Sequence, residues 1–249
     1  MSDKDHLILA KKVALKTKKM LLDKFSSHSK ILKNNFKDIK IDADIEAHEF
    51  ISNELKKSNI PIFSEEKKDP SLEFNTSENQ WIIDPLDGSL NFHRGFNLSA
   101  VSISKWSQGK PLLGVIAPIF SNDIFYSLKG NGSWNGNKKI NVSNVKLKKN
   151  AILATGFPSG RSYDVKSLKK TLKYISEYKK IRMIGSASIM LCLVADGVFD
   201  VYEEEDIYIW DIAAGLAIID GSHGAFTMKK GSSPNKFHVK ASNTYLIGQ

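Results

Sequence analysis

Trp81-Ile82-Ile83-Asp84-Pro85-Leu86-Asp87-Gly88-Ser89-Leu90-Asn91-Phe92 is the stretch from which the rest of the chain becomes readable. Its apolar start predicts a strand that delivers Asp84; Pro85 breaks that strand, and Asp87-Gly88 makes a tight turn. Two carboxylates three residues apart on such a turn can face one point, with the Leu86 carbonyl between them as a third oxygen. Carboxylates gathered in this way repel unless a cation neutralises them or some of them take up protons. An all-oxygen set suits magnesium or manganese rather than zinc. Taken alone, the segment fits equally well a turn whose acids are simply solvated.

Three other acidic positions bear on that choice. Glu65-Glu66 follows the apolar run Ile60 to Phe63, so the pair sits where a strand ends, a place where surface charge is common. Trp210-Asp211-Ile212-Ala213-Ala214-Gly215 puts an aspartate at a helix start, where an N-cap would also use it. Asp44 opens a further segment and reads as surface or capping in isolation.

Around these segments the periodicity sorts into helices, then strands, then a mixture. Ala10, Val13, Ala14, Thr17 and Leu21 share one helical face and predict a helix over 4–25, with lysines largely opposite. Ile45, His48, Ile51 and Leu55 give a second stripe, ending near Asn59 and Pro61. Strands are expected at 60–63, 81–84, 98–106, 112–119 and 124–127, and a turn at 130–137 before a strand at 140–142. Beyond residue 150 the pattern predicts strands at 151–155, 182–184, 199–202 and 225–228. Helices are expected there at 165–178, from a Ser186 cap to about 196, and at 211–220. This order reads as an α+β class leaning to a layered arrangement. It forms one unit over 1–249, with a metal-bearing half to about 145 and a second half over about 146–249.

Composition narrows the function classes. The chain has 249 residues, of which 41% are hydrophobic and 25% charged, and this argues against disorder. Cys192 is the single cysteine, so disulfide frameworks and cysteine zinc clusters are excluded, and its apolar run Ile189 to Val194 makes it a core residue. Neither a membrane-length apolar run nor a signal-peptide pattern is present, which sets the expectation of a cytoplasmic protein without a membrane partner. The formal charge of +9 would suggest nucleic acid, but it is unevenly placed. Residues 1–40 hold eleven lysines against four acids, and residues 42–87 hold twelve acids against four lysines. A basic leader of this kind reads first as the solvated face of a helix, which argues against a nucleic-acid partner.

The ordered set of segments resembles the inositol monophosphatase superfamily of metal-dependent phosphomonoesterases. Trp81 to Phe92 matches its W-x-I-D-P-x-D-G-[ST]-x-N-F signature, Trp210 to Gly215 matches W-D-x-A-A-G, and Glu65-Glu66 matches the glutamate pair after a strand. Ala154 to Pro158, Gly185-Ser186-Ala187 and the Asn135-Gly136 turn agree as well. The resemblance implies a layered α-β-α-β-α sandwich of the sugar phosphatase type, usually a homodimer. It implies two or three Mg2+ ions: Glu65, Asp84 and the Leu86 carbonyl at the first, Asp84, Asp87 and Asp211 at the second, and a third entering through Glu65. Ser89 with Asp44 would orient and help deprotonate the attacking water, and Asp44, Glu65 and Ser89 would thus carry catalysis. Substrate contacts would come from Asp87, Gly88, Ser89, Gly185, Ser186, Ala187, Asp211 and Glu204, the last within a run of three glutamates that leaves its register open by one residue.

Several positions depart from the common pattern: Ser64 for a glycine, Ile41 for a threonine, Ser89 for a threonine, Asn97 for a proline, and Asp42 as a competing carboxylate. None removes a metal ligand. The implied substrate is a small phosphorylated alcohol, an inositol monophosphate or related sugar phosphate. Asp44 to His48 and Ser64-Glu65-Glu66 look instead like the branch that hydrolyses 3′-phosphoadenosine 5′-phosphate. A non-catalytic regulatory module on the same scaffold is the alternative of another class.

Overall fold

The computed structural model describes residues 1–26, 30–35, 38–67, 74–157 and 164–249. The chain opens with α1 (Asp3–Ser26), a hairpin of β1 (Ile31–Asn35) and β2 (Asp38–Ile41), and α2 (Asp42–Leu55). Then come β3 (Ile62–Ser64), β4 (Gln80–Asp87), the short α3 (Ser89–His93), β5 (Ala100–Ser107), β6 (Lys110–Pro118), β7 (Phe125–Leu128), β8 (Gly132–Asn135) and β9 (Lys138–Ile140). The second part runs β10 (Ile152–Ala154), α4 (Val165–Ile175), β11 (Lys180–Arg182), α5 (Ala187–Ala195), β12 (Val201–Tyr208), α6 (Ile209–Gly221), β13 (Ala225–Lys230) and β14 (Lys236–Ser242).

Strands β3 to β9 form one sheet in sequence order, antiparallel except for the parallel β3–β4 pair. The second sheet has the order β11-β10-β12-β14-β13, parallel around β10 and antiparallel beyond β12. Hydrophobic burial stacks these elements into layers. α1 and α2 cover one face of the seven-stranded sheet, where Ala10, Val13, Ala14 and Leu21 meet Ile51, Leu55, Ile83, Val101, Ile103 and Val115. α5 and α6 fill the space between the sheets and are apolar almost all round, as a doubly covered helix must be. α4 lies on the outer face of the second sheet, packing Tyr174 and Ile175 on Leu153, Tyr178 and Val201. The result is the expected α-β-α-β-α sandwich.

Local expectations held where periodicity was strong. The predicted stripe of α1 is fully buried at all five positions. α2 begins earlier than its stripe suggests, at Asp42, and its buried face runs through Ala43, Asp44, Ala47, Ile51, Ser52 and Leu55, leaving Ile45 and His48 half-buried. Pro85 does not end β4. Pairing with β3 stops at Ile83, so beyond it β4 has β5 as its one neighbour, and a register shift between Asp84 and Asp87 absorbs the missing N–H. The stretch 130–137 is not one turn but two, with β8 between them. β1, β2 and β14 were not anticipated: Lys33, Lys40 and the pair Lys236 and Lys240 interrupt their apolar patterns. Part of the Ala154 to Pro158 match falls outside the described residues, at Pro158.

Candidate active site

The bulge in β4 and the first turn of α6 bring three carboxylates together. Ligand oxygens of Asp84, Asp87 and Asp211 all lie within 4.8 Å of one another. Asp84 and Asp87 are buried and Asp211 half-buried. Glu65, in the turn after β3, comes within hydrogen-bonding reach of Asp84, and Asp84 of Asp211. Burial, followed by repulsion from Glu65 and the other aspartates, pushes the Asp84 and Asp211 carboxyls well above the ordinary carboxylate range. Asp87 is raised too, by burial, although the Ser186 hydroxyl and the Ser188 amide pull it back.

Among the described residues no lysine or arginine forms an ion pair with Asp84, Asp87 or Asp211. Buried acids in mutual contact and without a cationic side chain fit a hard divalent ion held by oxygens. The donor set therefore suits the expected magnesium, and the buried Leu86, whose carbonyl accepts the Ser89 hydroxyl at 2.9 Å, lies beside it.

Asp44 reaches the site from α2. As the third residue of that helix it caps the helix start, its Oδ2 accepting the Ile41 amide at 2.7 Å. Its Oδ1 accepts the Ser89 hydroxyl at 2.8 Å, so the buried Asp44 both caps its helix and meets Ser89. Burial pushes its pKa up to about 7 against the pull of the Ile41 amide and the Ser89 hydroxyl. The competing Asp42 turns away, to Lys24 at 3.0 Å and the Lys30 amide at 2.9 Å.

A second wall forms where α3 meets the start of α5. Gly88 caps α3 with φ +82°, and a Cβ there would lie 3.0 Å from the Leu98 carbonyl oxygen and 3.2 Å from that of Gly185. Asn91 staples the same junction, its Nδ2 donating to Leu98 O at 2.8 Å and Ile184 O at 2.7 Å. Ser186 caps α5 as expected and also donates to Asp87 Oδ2 at 2.5 Å, while the Ser188 amide donates to the same oxygen at 2.8 Å. Gly88, Ser89, Gly185, Ser186 and Ala187 are thus gathered beside Asp87.

Of the three consecutive glutamates on β12, Glu204 is the inward one. It is buried, accepts the Tyr202 hydroxyl at 3.0 Å, and adds to the negative field at Asp211. Glu203 faces the opposite side of the strand, toward the Tyr174 hydroxyl and Lys240, and Glu205 is exposed. Gly156 fits against Glu204 so closely that a Cβ would stand 2.7–2.9 Å from its carboxylate. Tyr202 and Ser188 escaped the sequence reading; the spacing of Tyr202 two before Glu204, on the same strand face, was the available signal. Trp81 packs fully buried, and Trp210 stacks on Tyr208 with centroids 4.3 Å apart.

A profile of the inositol monophosphatase family matches residues 3–247. The Nus factor SuhB of Xylella fastidiosa is 34% identical over 84% of this chain and 76% of its own length. The inositol-1-monophosphatase of Rhizobium meliloti is 31% identical over 76% and 71%. The fructose-1,6-bisphosphatase/inositol-1-monophosphatase of Aquifex aeolicus is 34% identical over 61% of this chain, a match that spans 58% of that relative. Among solved structures, the extragenic suppressor protein suhB from Bartonella henselae superposes with a TM-score of 0.84 at 26% identity, covering 98% of this chain and 95% of that one.

Proposed function

The chain belongs to the inositol monophosphatase family of phosphoric monoester hydrolases, and on that premise we propose that it hydrolyses an inositol monophosphate or related sugar phosphate with magnesium. The observation that carries this reading is the buried Asp84, Asp87 and Asp211 cluster with the Ser89–Asp44 hydrogen bond beside it. Glu65, Asp84, Asp87, Asp211 and the Leu86 carbonyl would hold two or three Mg2+ ions. When bound, magnesium supplies positive charge that screens the phosphate dianion and stabilises the leaving alkoxide.

The chain's own groups do the rest. The Ser89 hydroxyl, held by Asp44 Oδ1 and the Leu86 carbonyl, is fixed to accept a hydrogen bond from the attacking water. Asp44 is the group through which Ser89 passes on that water's proton, and a pKa of about 7 suits it to the task near neutrality. Backbone amides at Gly88 and Ser89 would face the phosphate oxygens. Ser186 and Ser188 hold Asp87 by one oxygen, which fixes the direction of the carboxylate. Glu204, itself braced by Tyr202, would accept a hydroxyl of the alcohol.

This reading takes the protein as cytoplasmic and as a homodimer; light scattering of the purified chain tests the dimer. Within the described residues no helix is long and apolar enough to cross a membrane. The activity test is phosphate release from inositol 1-phosphate, 3′-phosphoadenosine 5′-phosphate, fructose 1,6-bisphosphate and histidinol phosphate, each with Mg2+ and with EDTA. Turnover of inositol 1-phosphate that is lost on chelation supports the reading; turnover of the adenosine bisphosphate alone replaces the substrate.

A second reading rests on the SuhB relative, whose name is that of a Nus factor. Exposed lysines of α1, Lys4, Lys12, Lys16 and Lys19, offer a basic face to a partner. In that reading the family fold serves regulation, and an Asp84→Asn variant without turnover would keep its cellular role.

A further inference from the structure

Glu65 and Glu66 are neighbours in one turn, yet their side chains part. Glu65 comes within hydrogen-bonding reach of Asp84 in the carboxylate cluster. The Glu66 side chain is 5% exposed and forms an ion pair with Lys40, near the end of β2, whose own side chain is 31% exposed. The Glu66 amide is fixed by the Ser64 hydroxyl at 3.3 Å, and that hydroxyl is held by His48 Nδ1 at 2.8 Å, so the turn itself is anchored. Across the hairpin the residue opposite Lys40 is Lys33, another cation, so its cross-strand partner offers Lys40 no anion. Glu66 supplies it.

We infer that Lys40 is a positioning residue: its ion pair with Glu66 holds that carboxylate away from the Asp84, Asp87 and Asp211 cluster and leaves Glu65 alone to join it. The inference rests on the proposed metal-dependent reading of the site. It follows from the asymmetry of burial. Without Lys40, the Glu66 carboxylate would be buried and uncompensated, which a protein interior does not tolerate. Its nearest relief is the bound cation or a shift of the turn into water, and either displaces Glu65. Without Glu66, Lys40 is exposed enough to remain hydrated. Asp44 also feels both charges, Glu66 raising its pKa and Lys40 lowering it, so an unpaired Glu66 would burden that group as well.

The test compares Lys40→Met, Lys40→Arg, Glu66→Gln and the double variant Lys40→Met/Glu66→Gln. Mg2+ affinity is measured by calorimetry without substrate, and kcat and KM on the ester the wild type hydrolyses. Lys40→Met is expected to weaken Mg2+ binding about tenfold and to lower kcat with little change in KM for the ester. Lys40→Arg and Glu66→Gln stay near wild type, and the double variant recovers. Unchanged or tighter Mg2+ binding in Lys40→Met overturns the inference, as does a double variant no better than Lys40→Met. If Lys40→Met does not fold, the double variant decides: a folded protein with near-normal Mg2+ affinity supports the inference, and a failed or weakened one overturns it. A wild type that binds no Mg2+ defeats the reading of the site instead.

Discussion

Ser89 and Asp44, 45 residues apart in the chain, meet through a 2.8 Å hydrogen bond from the serine hydroxyl to Oδ1. Because Asp44 Oδ2 is held by the Ile41 amide, the serine is attached to the capped start of α2 and not to a mobile side chain. Ser89→Ala removes the hydroxyl and leaves Asp44 capped. The expected outcome is a fall in kcat of roughly 100-fold, with KM changed by less than about threefold. Steady-state kinetics at saturating Mg2+ decide it, and a change confined to KM contradicts the assigned role.

Asp211→Asn should separate stability from function. In the metal-free protein Asp211 is pressed by Glu65, Asp87 and Glu204, so removing its charge relieves repulsion. Turnover should drop below about one hundredth of wild type, while Tm in EDTA rises by a few degrees, about 1 kcal/mol in a domain of this size. A lowered Tm in EDTA would show that the Asp211 charge stabilises the metal-free fold.

Burial, with the same repulsion, sets a pH dependence. Asp84, Asp87 and Asp211 have raised pKa values when folded, and Asp44 is raised to about 7. A carboxyl raised by folding contributes stability that is fully present below its unfolded pKa and is lost as pH climbs through its folded value. Metal-free protein should therefore lose Tm as pH climbs from about 4 through about 7, the interval set by Asp44, and the gain in Tm on adding Mg2+ should widen over it. Thermal melts in buffers of constant ionic strength read this out, and a gain that shrinks with pH would contradict it.

Gly156→Ala tests the alcohol side of the site. The new methyl would press on the Glu204 carboxylate at 2.7–2.9 Å and turn it from its place beside Tyr202. KM for the sugar phosphate should rise about tenfold, whereas p-nitrophenyl phosphate, which has no sugar hydroxyl, should be hydrolysed as before. Equal losses on both esters would mean that Glu204 serves the phosphate.

Much of this was legible in the sequence for identifiable reasons. The α1 stripe of Ala10, Val13, Ala14, Thr17 and Leu21 follows one period without interruption, and burial follows it. Asp84, Asp87 and Asp211 belong to segments with clear local markers: Pro85 fixes φ after Asp84, Gly88 permits the left-handed turn after Asp87, and Asp211 stands in the first turn of α6. What stayed hidden depends on three-dimensional partners. Pro85 looked like a strand end because the sequence does not show that β3 stops pairing at Ile83. Lys40 and Glu66, 26 positions apart, look like ordinary surface charges until the hairpin is folded onto the turn after β3. The choice among Glu203, Glu204 and Glu205 needed strand register, which places Glu203 opposite Lys240 and Glu204 opposite Val239 on β14.

The most direct measurement is phosphate release from inositol 1-phosphate as Mg2+ is titrated, with wild type and Asp84→Asn side by side. The expected result is saturable Mg2+-dependent turnover in the wild type, abolished by EDTA and absent in Asp84→Asn although that variant remains folded. Turnover that persists in EDTA, or an Asp84→Asn variant as active as wild type, would contradict a catalytic centre built on the buried carboxylates.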